Sequence, residues 1–261
     1  MLPYIIKTDF FAIPSFFAAI SLSALFATLI IMREAKLAGL DKTLALDICL
    51  DLIIFAILGA RLGHVLWESP LFYFHNPLRI FAFWSGGFVS LGAILTDLIV
   101  LIYVCWRKKL DFWKWFDVII VGATLVFPIV RLGCVGAGCC YGNPTHSHFG
   151  LIYTDPDSIA RPLGVPLIPT QLIELIYGTL IFLLIIFLRR RKSFDGQLAL
   201  SFLMLYPFCR FFLEFLRGDA DRGIYFGGAI STAQIITIPL FITSLIIYIL
   251  RRKKELKGHI T

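Results

Sequence analysis

Residues Pro169–Lys192 read PTQLIELIYGTLIFLLIIFLRRRK. From Leu172 to Leu188 the one charged residue is Glu174, and the run stops on four consecutive cations, Arg189, Arg190, Arg191 and Lys192. A helix of about 20 apolar residues crosses the hydrocarbon core of a bilayer. This stretch has that length, and a cationic block at its end marks a cytoplasmic membrane surface.

The same pattern recurs along the chain. Seven apolar stretches are expected to span: Ile13–Met32, Leu44–Leu66, Gly86–Trp106, Asp117–Gly133, Pro169–Leu188, Gln197–Leu216 and Ala229–Leu250. Sixteen of the 24 basic residues follow spans one, three, five and seven. The other side holds five, namely Lys7, Arg79, Arg161, Arg217 and Arg222. The positive-inside bias predicts an outside N-terminus and a cytoplasmic C-terminus. The positive flank of the first span follows its apolar run, so it reads as a retained span and not a cleaved signal peptide.

Composition agrees. The 261 residues are 59% hydrophobic and 16% charged, with mean hydropathy +0.85. This excludes a disordered chain, a secreted disulfide scaffold and an ordinary cytosolic enzyme. Continuous apolar runs exclude an outer-membrane barrel, whose strands alternate. The net charge of +7 sits between apolar segments, so it is a topology signal and no nucleic-acid partner is expected. No linker or charge block marks a second domain. The expectation is an all-α, polytopic, seven-span membrane protein made of a single domain. Its longest connection, Leu132–Ile168, should lie outside as a loop with room for a short helix.

Three arginines fall within spans: Arg61, Arg131 and Arg210. A charge in hydrocarbon costs at least about 3 kcal/mol, so each needs a partner or a wet cavity. With Gln171, Glu174 and Glu214 they all fall in the outer half of the bilayer by the charge-derived topology. Tyr206, Arg210, Glu214 and Arg217 form one helical stripe, in which Arg210 and Glu214 can pair directly. A guanidinium fixed in this way can grip a phosphate with two parallel donors. The plain structural alternative is a set of interhelical ion pairs. Asp47 and Asp51 lie at the cytoplasmic interface and carry no expected chemistry. Asp97, near mid-membrane, reads either as a neutral carboxyl or as part of a polar track.

Arg131–Gly142 reads RLGCVGAGCCYG. Its glycines, Gly133 and Gly142 among them, suit either an anion cradle of backbone N–H groups or close helix packing. Three readings of Cys134, Cys139 and Cys140 stand side by side. They are buried or disulfide-bonded structural residues, thiols activated by Arg131, or metal ligands together with His146 and His148. The last spacing matches no standard zinc pattern. Cys49, Cys105 and Cys209 read as packing residues.

Six segments in order carry a family resemblance: GARLGHVLW (Gly59–Trp67), WSGGFVSLGA (Trp84–Ala93), RLGCVGAGCCYG, PTQLIEL (Pro169–Leu175), YPFCRFFLEFLRGD (Tyr206–Asp219) and STAQIITIP (Ser231–Pro239). The chain resembles the prolipoprotein diacylglyceryl transferases, seven-span enzymes of the bacterial inner membrane. The resemblance implies transfer of a diacylglyceryl group from phosphatidylglycerol to the thiol of a lipobox cysteine, with release of glycerol phosphate. It implies two partners: phosphatidylglycerol or a related anionic phospholipid, and a prolipoprotein signal peptide. It places the family's essential arginines on Arg131 and Arg210 and its paired glutamate on Glu214. The expected substrate-binding set is Arg61, Arg131, Arg210, Tyr206, Gln171, Glu174, Gly86, Gly87, Gly133, Gly142, Cys139 and Cys140. No cofactor and no metal is expected.

The resemblance has departures. The family's third-span His is Leu91 here, and Cys134, Ala137 and Cys139 stand where its signature carries Asn and Glu residues. That marks a divergent branch and removes the usual candidate base. His64, one turn from Arg61, takes its place as the expected catalytic base, with Glu174, His146 and His148 as alternatives. His75 and His259 have no special claim. Two other readings remain open: a relative that acts on another lipid or thiol acceptor, and a non-catalytic lipid-binding or thiol-redox membrane protein.

Overall fold

The computed structural model describes residues 2–8, 11–219, 223–225 and 230–258. Arg222, His259 and Ala229, where the last span was expected to open, lie outside the described residues. A short hairpin, β1 (Tyr4–Lys7) and β2 (Ala12–Pro14), precedes α1 (Ser15–Leu37). Then come α2 (Lys42–Gly63), α3 (Pro70–His75), α4 (Ser90–Arg107) and α5 (Phe112–Ala137). The paired strands β3 (Leu151–Ile152) and β4 (Pro166–Leu167) lead to α6 (Thr170–Leu188) and α7 (Gln197–Leu213). The small pair β5 (Ile224–Tyr225) and β6 (Ile230–Ser231) leads to α8 (Thr232–Gly258). All but α3 are long and apolar enough to cross a membrane, which makes seven among the described residues. Leu22, Leu25 and Leu29 of α1 and Ile242, Ile246 and Leu250 of α8 are exposed. Such apolar faces suit lipid and not water. The chain is a multi-pass membrane protein.

The helices depart from the expected spans at two informative points. The fourth runs on from Gly133 to Ala137, which places Cys134 inside α5. The third starts at Ser90 and not at Gly86. Gly86 (φ +75°) and Gly87 (φ +78°) hold a left-handed turn that a helix cannot include. The long connection, 138–169, carries a β-pair and no helix.

The chain divides into two compact units, Ile31–Val118 and Met1–Ile30 with Ile119–Thr261. In the first unit α2 and α4 touch backbone to backbone. A Cβ on Gly92 would stand 2.2 Å from the Gly59 carbonyl oxygen, and one on Gly59 would stand 2.7 Å from the Gly92 carbonyl oxygen. Gly63 faces the Gly92 Cα in the same way. Small residues four apart let transmembrane helices approach this closely.

In the second unit α5, α6 and α7 assemble around aromatic rings. Tyr206 lies 4.4 Å from Phe127 and 5.6 Å from Phe202, centroid to centroid. Gly178 of α6 leaves room for Pro128 of α5. Gly133 packs on α1, where a Cβ would stand 2.7 Å from the Ala19 Cβ. The 138–169 connection is sewn to the helix ends by Gly142 N–H to Ile168 O, Asn143 N–H to Leu216 O and Gly218 N–H to Tyr141 O. Tyr153, Ala160 and Leu167 give this connection its own small core.

Adding one methyl at the α2–α4 contact tests this packing. Gly92→Ala should destabilise the protein by about 1–3 kcal/mol, as overpacking does. The measurement is the denaturation midpoint in detergent, and an unchanged midpoint would contradict the backbone contact.

Candidate active site

Three helix ends form the candidate site in the second unit. Arg131 sits near the end of α5, Gln171 and Glu174 in the first turns of α6, and Tyr206 and Arg210 in the last half of α7. Antiparallel neighbours bring a C-terminal, an N-terminal and a C-terminal end together. Apolar periodicity then turns these polar side chains inward.

Glu174 is 1% exposed and takes two partners. Arg131 Nη2 lies 2.9 Å from its Oε1, and the Tyr206 hydroxyl donates to the same oxygen at 2.9 Å. A buried carboxylate is stable only when paired and hydrogen-bonded, and this one is both. Arg210 pairs with the buried Glu214 four residues on, as the spacing predicts. Arg210 stands one turn beyond Tyr206 on α7, and Tyr206 shares the Glu174 carboxylate with Arg131. Around them, Arg131 Nε, Gln171 Oε1 and the Tyr177 hydroxyl are buried without a hydrogen-bond partner. Buried polar atoms are normally satisfied, so these stand out as atoms with hydrogen-bonding capacity unused by the protein. Arg217 leaves the stripe, because α7 ends at Leu213, and it pairs with Asp219 instead.

The cysteine segment closes on the same place. Gly138 (φ +77°) ends α5 and Cys140 itself sits at φ +59°. Two left-handed residues within three fold the chain back, and the sulfurs of Cys134, Cys139 and Cys140 all lie within 4.8 Å of one another. All three are free cysteines in this structure, with no disulfide among them. Arg131 Nη1 donates to Cys140 Sγ at 3.3 Å and to Cys134 Sγ at 3.6 Å. Hydrogen bonds from Cys134 and Cys139, then the positive Arg131 and Arg217, hold the Cys140 thiol well below its ordinary range. Cys139, hydrogen-bonded to both neighbours and buried, is pushed up. Its carbonyl accepts from Gln171 Nε2 at 2.8 Å, and the Cys140 carbonyl accepts from Thr170 Oγ1 at 2.6 Å. His146 and His148 are exposed in the connection and stand outside the thiol group.

Four expected site residues belong to the first unit, where they have local occupations. Arg61 is 3% exposed. Its guanidinium donates to five backbone carbonyls: Ile80 from Nε at 3.0 Å, Arg79 and Ala82 from Nη2 at 2.6 and 3.1 Å, and Gly86 and Gly87 from Nη1. That saturates the fork and makes Arg61 the tie of the turn before α4, with no donor left for a phosphate. His64 Nδ1 meets the Tyr73 hydroxyl at 3.0 Å, and Nε2 lies 3.5 Å from Glu68. Gly87 must be glycine beside them, since a Cβ there would stand 2.8 Å from the His64 ring and 2.9 Å from Arg61 Nη1. Gly86 only supplies the turn and a carbonyl. Gly133 and Gly142 are likewise packing positions, against α1 and against Ile168 and Leu216 respectively.

Sequence reading missed Tyr177, Thr170, Tyr153 and Asp219. Tyr177 was open to detection, being three residues past Glu174 on one helix face. Thr170 and Tyr153 act across the long connection, which no periodicity reports. Removing the carboxylate should be costly. Glu174→Ala leaves Arg131 buried without its main partner and should destabilise by about 3–5 kcal/mol, whereas Tyr206→Phe should lose only about 1 kcal/mol. Equal denaturation midpoints for the two variants would contradict the pairing.

The comparisons with known proteins bear on the whole chain. The prolipoprotein diacylglyceryl transferase family model matches residues 3–250. The chain is 32% identical over 233 residues to the phosphatidylglycerol–prolipoprotein diacylglyceryl transferase of Geobacter sulfurreducens, covering 88% of this chain and 87% of the relative. It is 32% identical over 242 residues to the protein of the same name from Oceanobacillus iheyensis, covering 90% and 82%. It is 29% identical over 240 residues to phosphatidylglycerol–prolipoprotein diacylglyceryl transferase 2 of Clostridium perfringens, covering 91% of each. Seven apolar helices and matches along about nine-tenths of the sequence have one common explanation: the chain belongs to the prolipoprotein diacylglyceryl transferase family.

Proposed function

We propose that this protein transfers the diacylglyceryl group of phosphatidylglycerol to the thiol of a lipobox cysteine and releases glycerol phosphate. The observation that carries the reading is a pair of arginines on different helices, Arg131 and Arg210, each held by a buried carboxylate. A phosphodiester carries one negative charge. When the acceptor sulfur attacks the glyceryl carbon, a C–S bond forms and the C–O bond breaks toward phosphate. The leaving group gains a second charge. Two guanidinium groups already in place neutralise that charge without reorganisation, which is where electrostatic catalysis is strongest. The proton lost by the thiol ends on the glycerol phosphate, so atoms and charge balance.

In this reading Arg131 and Arg210 bind the headgroup phosphate. Glu174 and Glu214 orient them, and Tyr206 and Gln171 shape the pocket. The N-terminus lies outside and the C-terminus in the cytoplasm of a bacterial inner membrane, by the asymmetry of Lys and Arg. The site then faces the outer leaflet, where a translocated precursor thiol meets phospholipid. A second reading, transfer to a different thiol acceptor, draws on the three cysteines at the signature positions and on Leu91.

Purified protein in phosphatidylglycerol vesicles, given a lipobox peptide, should form the diacylglyceryl thioether, seen as a mass increase on the cysteine. Arg210→Ala should lower that rate about 100-fold or more while the protein stays folded. An unchanged rate contradicts the clamp. Transfer to small thiols but not to the lipobox peptide favours the second reading.

A further inference from the structure

We infer that Cys134, Cys139 and Cys140 form a three-thiolate zinc site whose open fourth position takes the thiol of the acceptor. The thiol-acceptor half rests on the proposed transfer reaction, whereas the metal site itself does not.

The three sulfurs lie within 4.8 Å of one another. Around one zinc, with Zn–S near 2.3 Å, tetrahedral sulfurs stand about 3.8 Å apart. The cluster therefore needs to contract by only about 1 Å at most to close on an ion. Its backbone is already fixed at each ligand. Gly138 N–H donates to the Cys134 carbonyl at 2.8 Å, Gln171 Nε2 to that of Cys139 at 2.8 Å, and Thr170 Oγ1 to that of Cys140 at 2.6 Å. Ligands pinned from behind in this way hold a site in shape.

Ligand chemistry selects the ion. The group is all sulfur, with no carboxylate or imidazole in it, which favours thiophilic ions over magnesium or calcium. Three thiolates and one zinc leave a single negative charge. Arg131 Nη1, which donates to two of the sulfurs, balances it. Monovalent copper would leave two negative charges for the same partner. Three protein ligands with a free fourth position is the form of zinc that reacts, where four ligands make a structural site. The unpartnered, buried Oε1 of Gln171 belongs to the same amide that holds the Cys139 carbonyl.

Such a site supplies what Leu91 took away. A thiol that coordinates zinc is deprotonated outright, so no side-chain base with a matched pKa is required. The acceptor sulfur would sit on the thiol cluster while Arg131, common to both halves, faces the phosphate. Nothing is oxidised or reduced. The acceptor sulfur would leave the metal and form the C–S bond as the C–O bond breaks toward phosphate, and the proton released when the thiol coordinated ends on the glycerol phosphate.

The test uses the full-length protein purified in detergent without oxygen. Plasma mass spectrometry should find about one zinc per chain, as a closed three-thiolate set would hold. Cys139→Ser should lose most of it, and Cys209→Ser, outside the thiol group, should keep it. Chelator-stripped wild-type protein refilled with cobalt should show sulfur-to-metal charge-transfer absorption, which avoids reliance on a variant that fails to fold. Adding a lipobox cysteine peptide should shift the visible cobalt bands, and its serine analogue should not. No zinc together with no cobalt uptake, copper in place of zinc, or a disulfide among these residues in the isolated protein would overturn the site. Bound cobalt blind to the cysteine peptide would overturn the acceptor role. A protein that holds zinc yet transfers no lipid would refute the transferase reading and leave the metal site standing. Transfer at full rate by the stripped protein would refute zinc's part in the reaction.

Discussion

The buried carboxylate of Glu174 is the interaction on which the candidate site depends. One oxygen accepts from Arg131 and from Tyr206, so a single atom joins α5, α6 and α7. Without it, Arg131 would face the cost of an unpaired charge in an apolar interior. With it, the guanidinium is fixed in angle and still presents Nη1 to the thiols and Nε to no protein partner. Packing supports this arrangement from below. Phe127 and Phe202 hold the Tyr206 ring, and that ring sets where its hydroxyl meets the carboxylate. Gly178 lets Pro128 sit close enough for α5 and α6 to share a charge pair.

How much of this could be read in the sequence depended on the range of the interaction. The spans were legible because a bilayer imposes a length and a polarity on each helix. The Arg210–Glu214 pair was legible because it is four residues apart on one helix. Arg131 with Glu174 was legible only as depth: both fall near the same end of their spans, and which pairs with which is a tertiary fact. The roles of the glycines were not legible as separate classes. Gly133 and Gly142 look alike in a list of residues, and so do Gly86 and Gly87, yet the first two fill packing contacts and the second two turn the chain with positive φ. The thiol cluster was hidden by a boundary. With a helix ending at Gly133, Cys134 belongs to a loop. With α5 continuing to Ala137 it stands one turn before Gly138, opposite the returning Cys140.

Arg61 and Arg131 show why an intramembrane charge must be judged by its donors and not by its type. Both are arginines in spans, and both look like phosphate ligands by depth. Arg61 gives every N–H direction of its fork to the backbone carbonyls of the 79–87 segment. Carbonyls at a turn need such donors, because the bilayer supplies none. Its charge therefore holds a shape. Arg131 meets a carboxylate, two sulfurs and, at Nε, nothing from the protein. A saturated guanidinium is a structural cross-link. An unsaturated one, already held by a buried carboxylate, retains directed positive charge, and that difference separates Arg131 from Arg61 in this fold.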